Sequence, residues 1–354
     1  MSKAIKAGIF PGASLLVACQ HEILHCGYYG RQQLSGKPVD SLTIYDLASL
    51  TKPLATSLAL MHMLQAGILQ LDQKLSTIFP ECAESDKGNI TVLQLLCHQS
   101  GLPAHRPYFE KLIHCPPKNR SNQLLSMIFD EPLIYQSGTK TIYSDLGFMV
   151  LNAAIERLNG FRLDTYIYNN IYHPLGVKDL FFIDLFNPSD LCKTRFAATE
   201  HCPWRKKMLV AEVHDDNAHV TGGVGGHAGL FGTIMAVYQL LDTLSGIYHN
   251  DSQLLVGPSI IQRKWIQTFF QVPNCAERPL GFDIPTPPSS SSGRYFSANS
   301  VGHLGFTGTS FWMDLKQKIV VILLTNRVHP SRHNNRIRSF RPLIHDIIMQ
   351  DLIK

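Results

Sequence analysis

The chain has 354 residues, of which 45% are apolar and 17% charged, and 32 Lys and Arg against 27 Asp and Glu leave a formal net charge of +5. That length supports one large or two modest domains with a real core. The low charged fraction, below the roughly 25% of an average globular protein, argues against a charged disordered tail and against a nucleic-acid-coating surface.

The N-terminus, Met1 to Pro11, carries two lysines but no long apolar segment before a small-residue cleavage site, so it does not read as a signal peptide. No stretch approaches the roughly 18 apolar residues of a membrane span, and a cytoplasmic, unanchored protein is the expectation. Ala13–Cys19 and His25–Tyr29 flank Gln20-His21-Glu22 and predict a hairpin; Thr309–Leu315 and Ile319–Thr325 around Lys316-Gln317-Lys318 predict a second. Between them the pattern turns helical. Lys52–Gln65 runs to Gly67 and Leu146–Leu158 to Gly160, glycines placed to end a helix. Strands at both ends with helices between them suggest one sheet built from the two termini and a helical insert. The stretch Pro285–Gly293 has the composition of an exposed flexible loop, and the five arginines from Arg327 to Arg341 read as a solvated face of the last helix rather than an anion site. The eight cysteines never form C-x-x-C and are read as reduced core residues, with no zinc knuckle or redox motif.

Three short motifs carry chemistry. In Ala48-Ser49-Leu50-Thr51-Lys52-Pro53 a serine stands three residues before a lysine at the opening of a helix. Hydroxyl and amine then share a face, and the serine N–H lies among the unpaired donors of the first turn. Taken alone, a helix cap and a solvated lysine would explain the pattern equally well. In Thr141-Ile142-Tyr143-Ser144-Asp145-Leu146-Gly147 a tyrosine beside a lysine could act as general base and then acid, or it could simply anchor the following helix. In Gly302-His303-Leu304-Gly305-Phe306-Thr307-Gly308-Thr309 the glycines mark a close approach of a ligand or another backbone, or a bulged edge strand. A histidine and carboxylate cluster, His214, Asp215, Asp216, Asn217, His219 and His227, invites a metal reading, but its spacing matches no zinc signature.

The three motifs in this order resemble the serine β-lactamase-related superfamily, the penicillin-recognising enzymes with S-x-x-K, Y-x-N and K-T-G or H-x-G elements. The resemblance runs from about Phe10 to Arg341. It includes Phe10-Pro-Gly-Ala-Ser14, Ile90 to Pro103 with His98 and Gly101, and Gly222 to Thr233. The long interval from Ser49 to Tyr143 is similar to the class C-like branch of esterases and DD-peptidases; reading Ser144-Asp145-Leu146 as the S-D-N of class A is the competing register. The resemblance implies an α/β (α+β) fold, a mainly antiparallel sheet flanked by helices. Its expected division is a sheet part at about 8–50 and 294–354 and a helical part at about 51–293, within a single domain.

It further implies Ser49 as nucleophile, Lys52 as its activating partner and Tyr143 as proton shuttle, with the N–H groups of Ser49 and Phe306 as the oxyanion hole. Asp145, His303, Gly305 and Phe306 become substrate-side residues, and His214, Asp215 and Asn217 candidates near the acyl pocket, or else a polar network holding their loop. No cofactor and no metal are expected, and the partner is a small-molecule or peptide substrate. Two departures stand out. His303 occupies a position where lysine is common, and would lose its charge near neutrality. Asp145 replaces the commoner asparagine; its carboxylate should favour protonated Lys52 and move the base role towards Tyr143. The expected activity is hydrolysis through an acyl-enzyme of a carboxylic ester, a D-amino-acid amide or peptide, or a β-lactam, with esters favoured. The alternative is a non-catalytic penicillin-binding or regulatory module that keeps the fold.

Overall fold

The computed structural model describes residues 1–188, 190–251 and 260–353. Five antiparallel strands form the main sheet: β1 (Gly12–Cys19), β2 (Glu22–Gly30), β3 (Ser300–Leu304), β4 (Ser310–Asp314) and β5 (Ile319–Thr325). Their order is β2-β1-β5-β4-β3, so the first and last strands of the chain meet at the centre, with Leu16 opposite Ile322. Both hairpins expected from the apolar runs are present.

The central strands are apolar throughout because both faces of the sheet are covered. Leu16, Ala18, Val320, Ile322 and Leu324 point into the large core shared with the helical region. Their alternates Leu15, Val17, Val321 and Leu323 pack beneath the C-terminal helix Ile337–Leu352, against Phe340, Ile344 and Met349. The helical part holds Ser57–Gln65, Asp145–Asn159 and Ile234–His249. Asp145–Asn159 starts at Ser144, whose hydroxyl accepts from Gly147 N–H, and ends at Gly160 with φ +78°.

Some features differ from expectation. The segment Lys52–Thr56 is a π-helical turn, becoming α-helical only from Ser57. A small sheet of Tyr45–Asp46, Leu180–Phe182 and Leu230–Gly232 braces the segment that leads to Ser49. The Pro285–Gly293 stretch is not a free loop: Ser290 and Ser292 are buried and share a 2.7 Å hydroxyl contact, and Ser291 O accepts from His345 Nδ1. All eight cysteines are free; Cys82, Cys97 and Cys202 are buried, whereas Cys192 and Cys275 are exposed rather than core residues.

One buried side chain closes the sheet at the end nearest the site. Asn326 accepts from Gly12 N–H at 2.9 Å and donates to Gln32 O at 2.8 Å. Asn326→Ala leaves two buried main-chain groups unpaired and should lower unfolding free energy by about 2–4 kcal/mol. A urea midpoint equal to that of the wild type would show that water replaces both bonds.

Candidate active site

Ser49 lies on a 3₁₀ turn, Ala48–Leu50, entered through Ala48 at φ +49°, a conformation costly for a residue with a Cβ. Bonds from four other side chains hold this turn. Asp46, itself buried, accepts from Ala48 N–H at 2.8 Å through one oxygen and from His214 N–H at 2.7 Å through the other. Thr51 donates to Ala48 O, Thr307 to Asp46 O and Thr309 to Leu47 O. The segment following β3 is thereby laced to the turn that carries Ser49. Gly305 is needed there, since a Cβ would come within 2.6 Å of Leu47 O.

Lys52 is fully buried, and its ammonium has three acceptors from three parts of the chain: Ser49 Oγ at 3.1 Å, Asp145 Oδ1 at 2.7 Å and His227 O at 3.0 Å. Ser49 and Lys52 both act on the Tyr143 hydroxyl, and the Lys52 Nζ stands 4.9 Å from the centre of its ring. The structure thus brings Ser49, Lys52, Tyr143 and Asp145 together.

Charge follows from burial and neighbours. Desolvation works against the Lys52 ammonium, but Asp145 and Tyr143 outweigh it, so the lysine pKa is raised. Burial raises the Asp145 pKa, yet Lys52, His105 and His227 together hold the carboxyl well below the usual range. Burial and Asp145 lift the Tyr143 hydroxyl, against the pull of Lys52. The resting site therefore holds Lys52 as ammonium, Tyr143 as phenol and Asp145 as carboxylate. Asp145 does favour protonated Lys52; the same charge also opposes ionisation of Tyr143, so it does not simply hand the base role to the tyrosine.

His303 departs from the reading as a neutral-pH switch. Its ring is buried beside Lys52 and Arg278, and desolvation pushes its pKa down to about 4. Nδ1–H donates to Leu304 O at 2.9 Å, which places the neutral ring's lone pair on Nε2, buried with no partner among the described residues. His98, at φ +57°, packs its ring 4.5 Å from Tyr143 and accepts from Ser144 N–H at 3.1 Å, so it sets the tyrosine's position.

Ser49, Tyr143, His303, Gly305 and Phe306 line one cleft of about 520 Å³. The Phe306 ring is half exposed, and its peptide is fixed by Arg327, which donates Nε–H to Phe306 O at 2.8 Å and lies 4.5 Å from the ring centre. His214, Asp215 and Asn217 do not line this cleft. His214 pairs with Glu200 at 3.1 Å and stacks beneath Phe306, Asp215 caps the helix Asp216–Val220 and bonds His227, and fully buried Asn217 bonds Phe109 N–H and Arg106 O. Asn217 is corrected to a scaffold residue, because no substrate can reach it. Among the described residues no group of three or more His, Cys, Asp or Glu side chains could hold a metal ion.

Sequence reasoning missed the arginines. Of the five near the C-terminus, Arg327, Arg338 and Arg341 line the cleft, joined by Arg278 from a distant loop. Arg341 is buried and donates to Gly305 O and Thr309 O, while its Nε has no partner among the described residues. Arg338 is exposed, and Arg278 pairs with Asp283 and faces the Tyr143 ring. A solvated helix face is therefore the wrong description of buried Arg327 and Arg341, while Arg338 is exposed at the cleft wall; Arg332, paired with Glu200 and Asp216, and Arg336, bonded to Ala7 O, lie outside the cleft. A helix period of 3.6 alone could have placed Arg338 and Arg341 on one face.

Comparison with known proteins gives the family. The sequence matches the Beta-lactamase family over residues 1–341. It is 30% identical to a putative D-alanyl-D-alanine carboxypeptidase of Escherichia coli (strain K12), over 96% of this chain and 84% of that protein. It is 31% identical to an N-acetylmuramyl-L-alanine amidase of Bacillus subtilis (strain 168), over 93% and 80%. The fold is similar to that of EstCE1, a hydrolase with promiscuous acyltransferase activity, with a TM-score of 0.71, 21% identity and 96% of each chain covered. With the match spanning nearly its whole length, the chain belongs to the β-lactamase family.

Proposed function

We propose that this protein is a serine hydrolase that acts through an acyl-enzyme at Ser49, on an amide or ester that carries an anionic group beside the scissile bond. The observation that carries the chemistry is the 3.1 Å contact between Lys52 Nζ and Ser49 Oγ, with the Tyr143 ring centre 4.9 Å from the same Nζ. Ser49 Oγ attacks the carbonyl carbon while its proton passes to the deprotonated Lys52–Tyr143 pair; the N–H groups of Ser49 and Phe306 receive the oxyanion. The pair returns the proton to the leaving group, and water then repeats the sequence to release the acid.

The arginines support the anionic requirement. The preference for esters rested on Asp145, which lacks an amide donor, and on the lack of a fixed charge at His303; Arg278 and Arg338 supply fixed charge in the same cleft. The carboxypeptidase and amidase relatives carry names that fit such a substrate. A neutral-ester hydrolase is the second reading, favoured by the half-exposed Phe306 ring at the cleft wall. A binding module without turnover is disfavoured by the intact contacts of Ser49, Lys52 and Tyr143. Among the described residues no helix is long and apolar enough to cross a membrane.

Ser49→Ala should reduce hydrolysis of a p-nitrophenyl ester by about 10³-fold or more in kcat while leaving the circular dichroism spectrum and the melting temperature in place. Turnover persisting in the pure variant would remove Ser49 from the mechanism.

Arg338→Ala should reduce kcat/KM by about tenfold for an ester bearing a carboxylate next to its leaving group, and by less than about twofold for the neutral ester. Equal losses on the two substrates would assign Arg338 a structural role and favour the neutral-ester reading.

The pH dependence follows from the resting charges. Since the Lys52 and Tyr143 values are both raised, kcat/KM for a neutral ester should climb from neutrality into the alkaline range as the pair loses one proton. His303, down at about 4, is uncharged throughout that range, so an anionic substrate should show no falling limb near neutral pH. Such a limb, abolished by His303→Gln, would place a charged imidazolium at the site after all.

A further inference from the structure

The carboxylate of Asp145 has two cationic partners. Oδ1 accepts from Lys52 Nζ at 2.7 Å, and Oδ2 stands 3.8 Å from Nδ1 of His105. His105 is not a wandering surface group, although its side chain is 51% exposed. Its segment is pinned on both sides. Asp145 N–H donates to Ala104 O at 2.9 Å and Ser144 Oγ to Pro103 O at 2.6 Å, while Asn217 Nδ2 donates to Arg106 O at 2.9 Å. The backbone that carries the imidazole is therefore tied directly to the first turn of the helix that carries Asp145.

From this juxtaposition we infer that His105 is a positioning residue that tunes Lys52 through Asp145: its imidazolium shares the carboxylate's charge and eases loss of the Lys52–Tyr143 proton that must precede attack by Ser49. The inference rests on the acyl-enzyme mechanism proposed above. No bond to His105 forms or breaks. In the activating step one proton leaves the Lys52–Tyr143 pair for water, and the pair then takes the Ser49 proton. An Asp145 carboxylate that faces Lys52 alone holds the first proton tightly, whereas one that also faces a cation holds it less.

The surrounding charges agree in sign. His105 is raised above its ordinary pKa by the neighbouring Asp145 carboxylate, against burial and with help from Asp215 and Asp216. On the other side, the charges facing Asp145 are Lys52, His105 and His227, with Tyr143 and Asp215 nearby. His227 is itself engaged by Asp215 at 2.9 Å, so His105 is the partner of Asp145 that opens to solvent and can take up or lose a proton during turnover conditions. This provides a charge control outside the buried centre.

The test has an arm that needs no turnover. The His105 imidazole is titrated by NMR in the resting protein and in Asp145→Asn and Lys52→Met variants. Asp145→Asn should lower its midpoint, and Lys52→Met should raise it, because charges coupled through one carboxylate shift each other reciprocally. Midpoints that stay where they are in both variants overturn the inference, whatever the enzyme hydrolyses. The second arm is the pH profile of kcat/KM for a neutral p-nitrophenyl ester. His105→Gln should lower the value at about pH 6 by about fivefold, with the gap closing as pH rises through the titration of the imidazole; His105→Arg, with a charge that does not titrate, should restore the value at pH 6. In an Asp145→Asn background the His105→Gln effect should shrink to less than about twofold. Superimposed profiles of the wild type and His105→Gln, or the same fivefold loss in both backgrounds, would show that His105 does not act through Asp145. A normal pair of midpoint shifts without Ser49-dependent turnover would uphold the coupling and overturn the proposed hydrolysis instead.

Discussion

A fully buried ammonium determines how this molecule is built. Removing a lysine charge from water is costly unless it is completely paired. Lys52 meets that demand with acceptors from three places: the serine three residues earlier, the first residue of the Asp145–Asn159 helix and the main chain at His227. Loss of Asp145 or of the His227 carbonyl leaves a charge under-compensated where no solvent can replace it, whereas the cleft that Ser49 lines can supply water in place of its hydroxyl. The bond from Lys52 to Asp145 thus fastens the segment after Ser49 to the start of the Asp145–Asn159 helix, and fold and site lean on the same ammonium.

The nucleophile turn follows the same logic. Ala48 sits in a left-handed conformation that its Cβ disfavours, and the surrounding structure has to over-determine it. Asp46, Thr51, Thr307 and Thr309 do so, each through a hydroxyl or carboxylate bonded to a main-chain group of residues 46–48. Thr307 and Thr309 belong to the segment after β3, so the strand edge that carries His303 and Phe306 is positioned by the turn it faces. Arg327 then locks the Phe306 peptide from behind. Asp46 and these threonines are first supports of the site, yet none of them touches the cleft.

Local signals were legible wherever period and capping chemistry act over a few residues. The apolar runs marked β1 and β5, and Gly160 marked the end of the Asp145–Asn159 helix. The S-x-x-K and Tyr143 motifs could be read because helical spacing alone puts a serine and a lysine on one face. What could not be read depends on distance in space. Tyr45–Asp46 and Leu230–Gly232 are two- and three-residue strands whose pairing is created by the tertiary fold, and no local periodicity reports them. His303 looked like a group that titrates near neutrality because an isolated histidine does; its burial beside Lys52 and Arg278 is a property of the folded cleft. The arginines were misjudged for a related reason. Five basic residues near a C-terminus read as a solvated face, and only the packing of that segment against the residues after β3 buries Arg327 and Arg341 and sets exposed Arg338 at the cleft wall.

These placements give the cleft a polarity. Its lining carries Arg278, Arg327, Arg338 and Arg341 with Asp283 as the acidic residue among them, while Asp145, Asp215 and Asp216 stand around His105 outside that lining. In a partly desolvated groove such an excess of one sign of charge orients a charged substrate before any contact specific to its shape is made. In the proposed reading an anionic group is drawn to these arginines and the scissile carbonyl lies over Ser49. The same reading accounts for Asp145 where an amide would otherwise donate to substrate: recognition of the anion is left to the arginines, and the residue at position 145 holds the charge of Lys52.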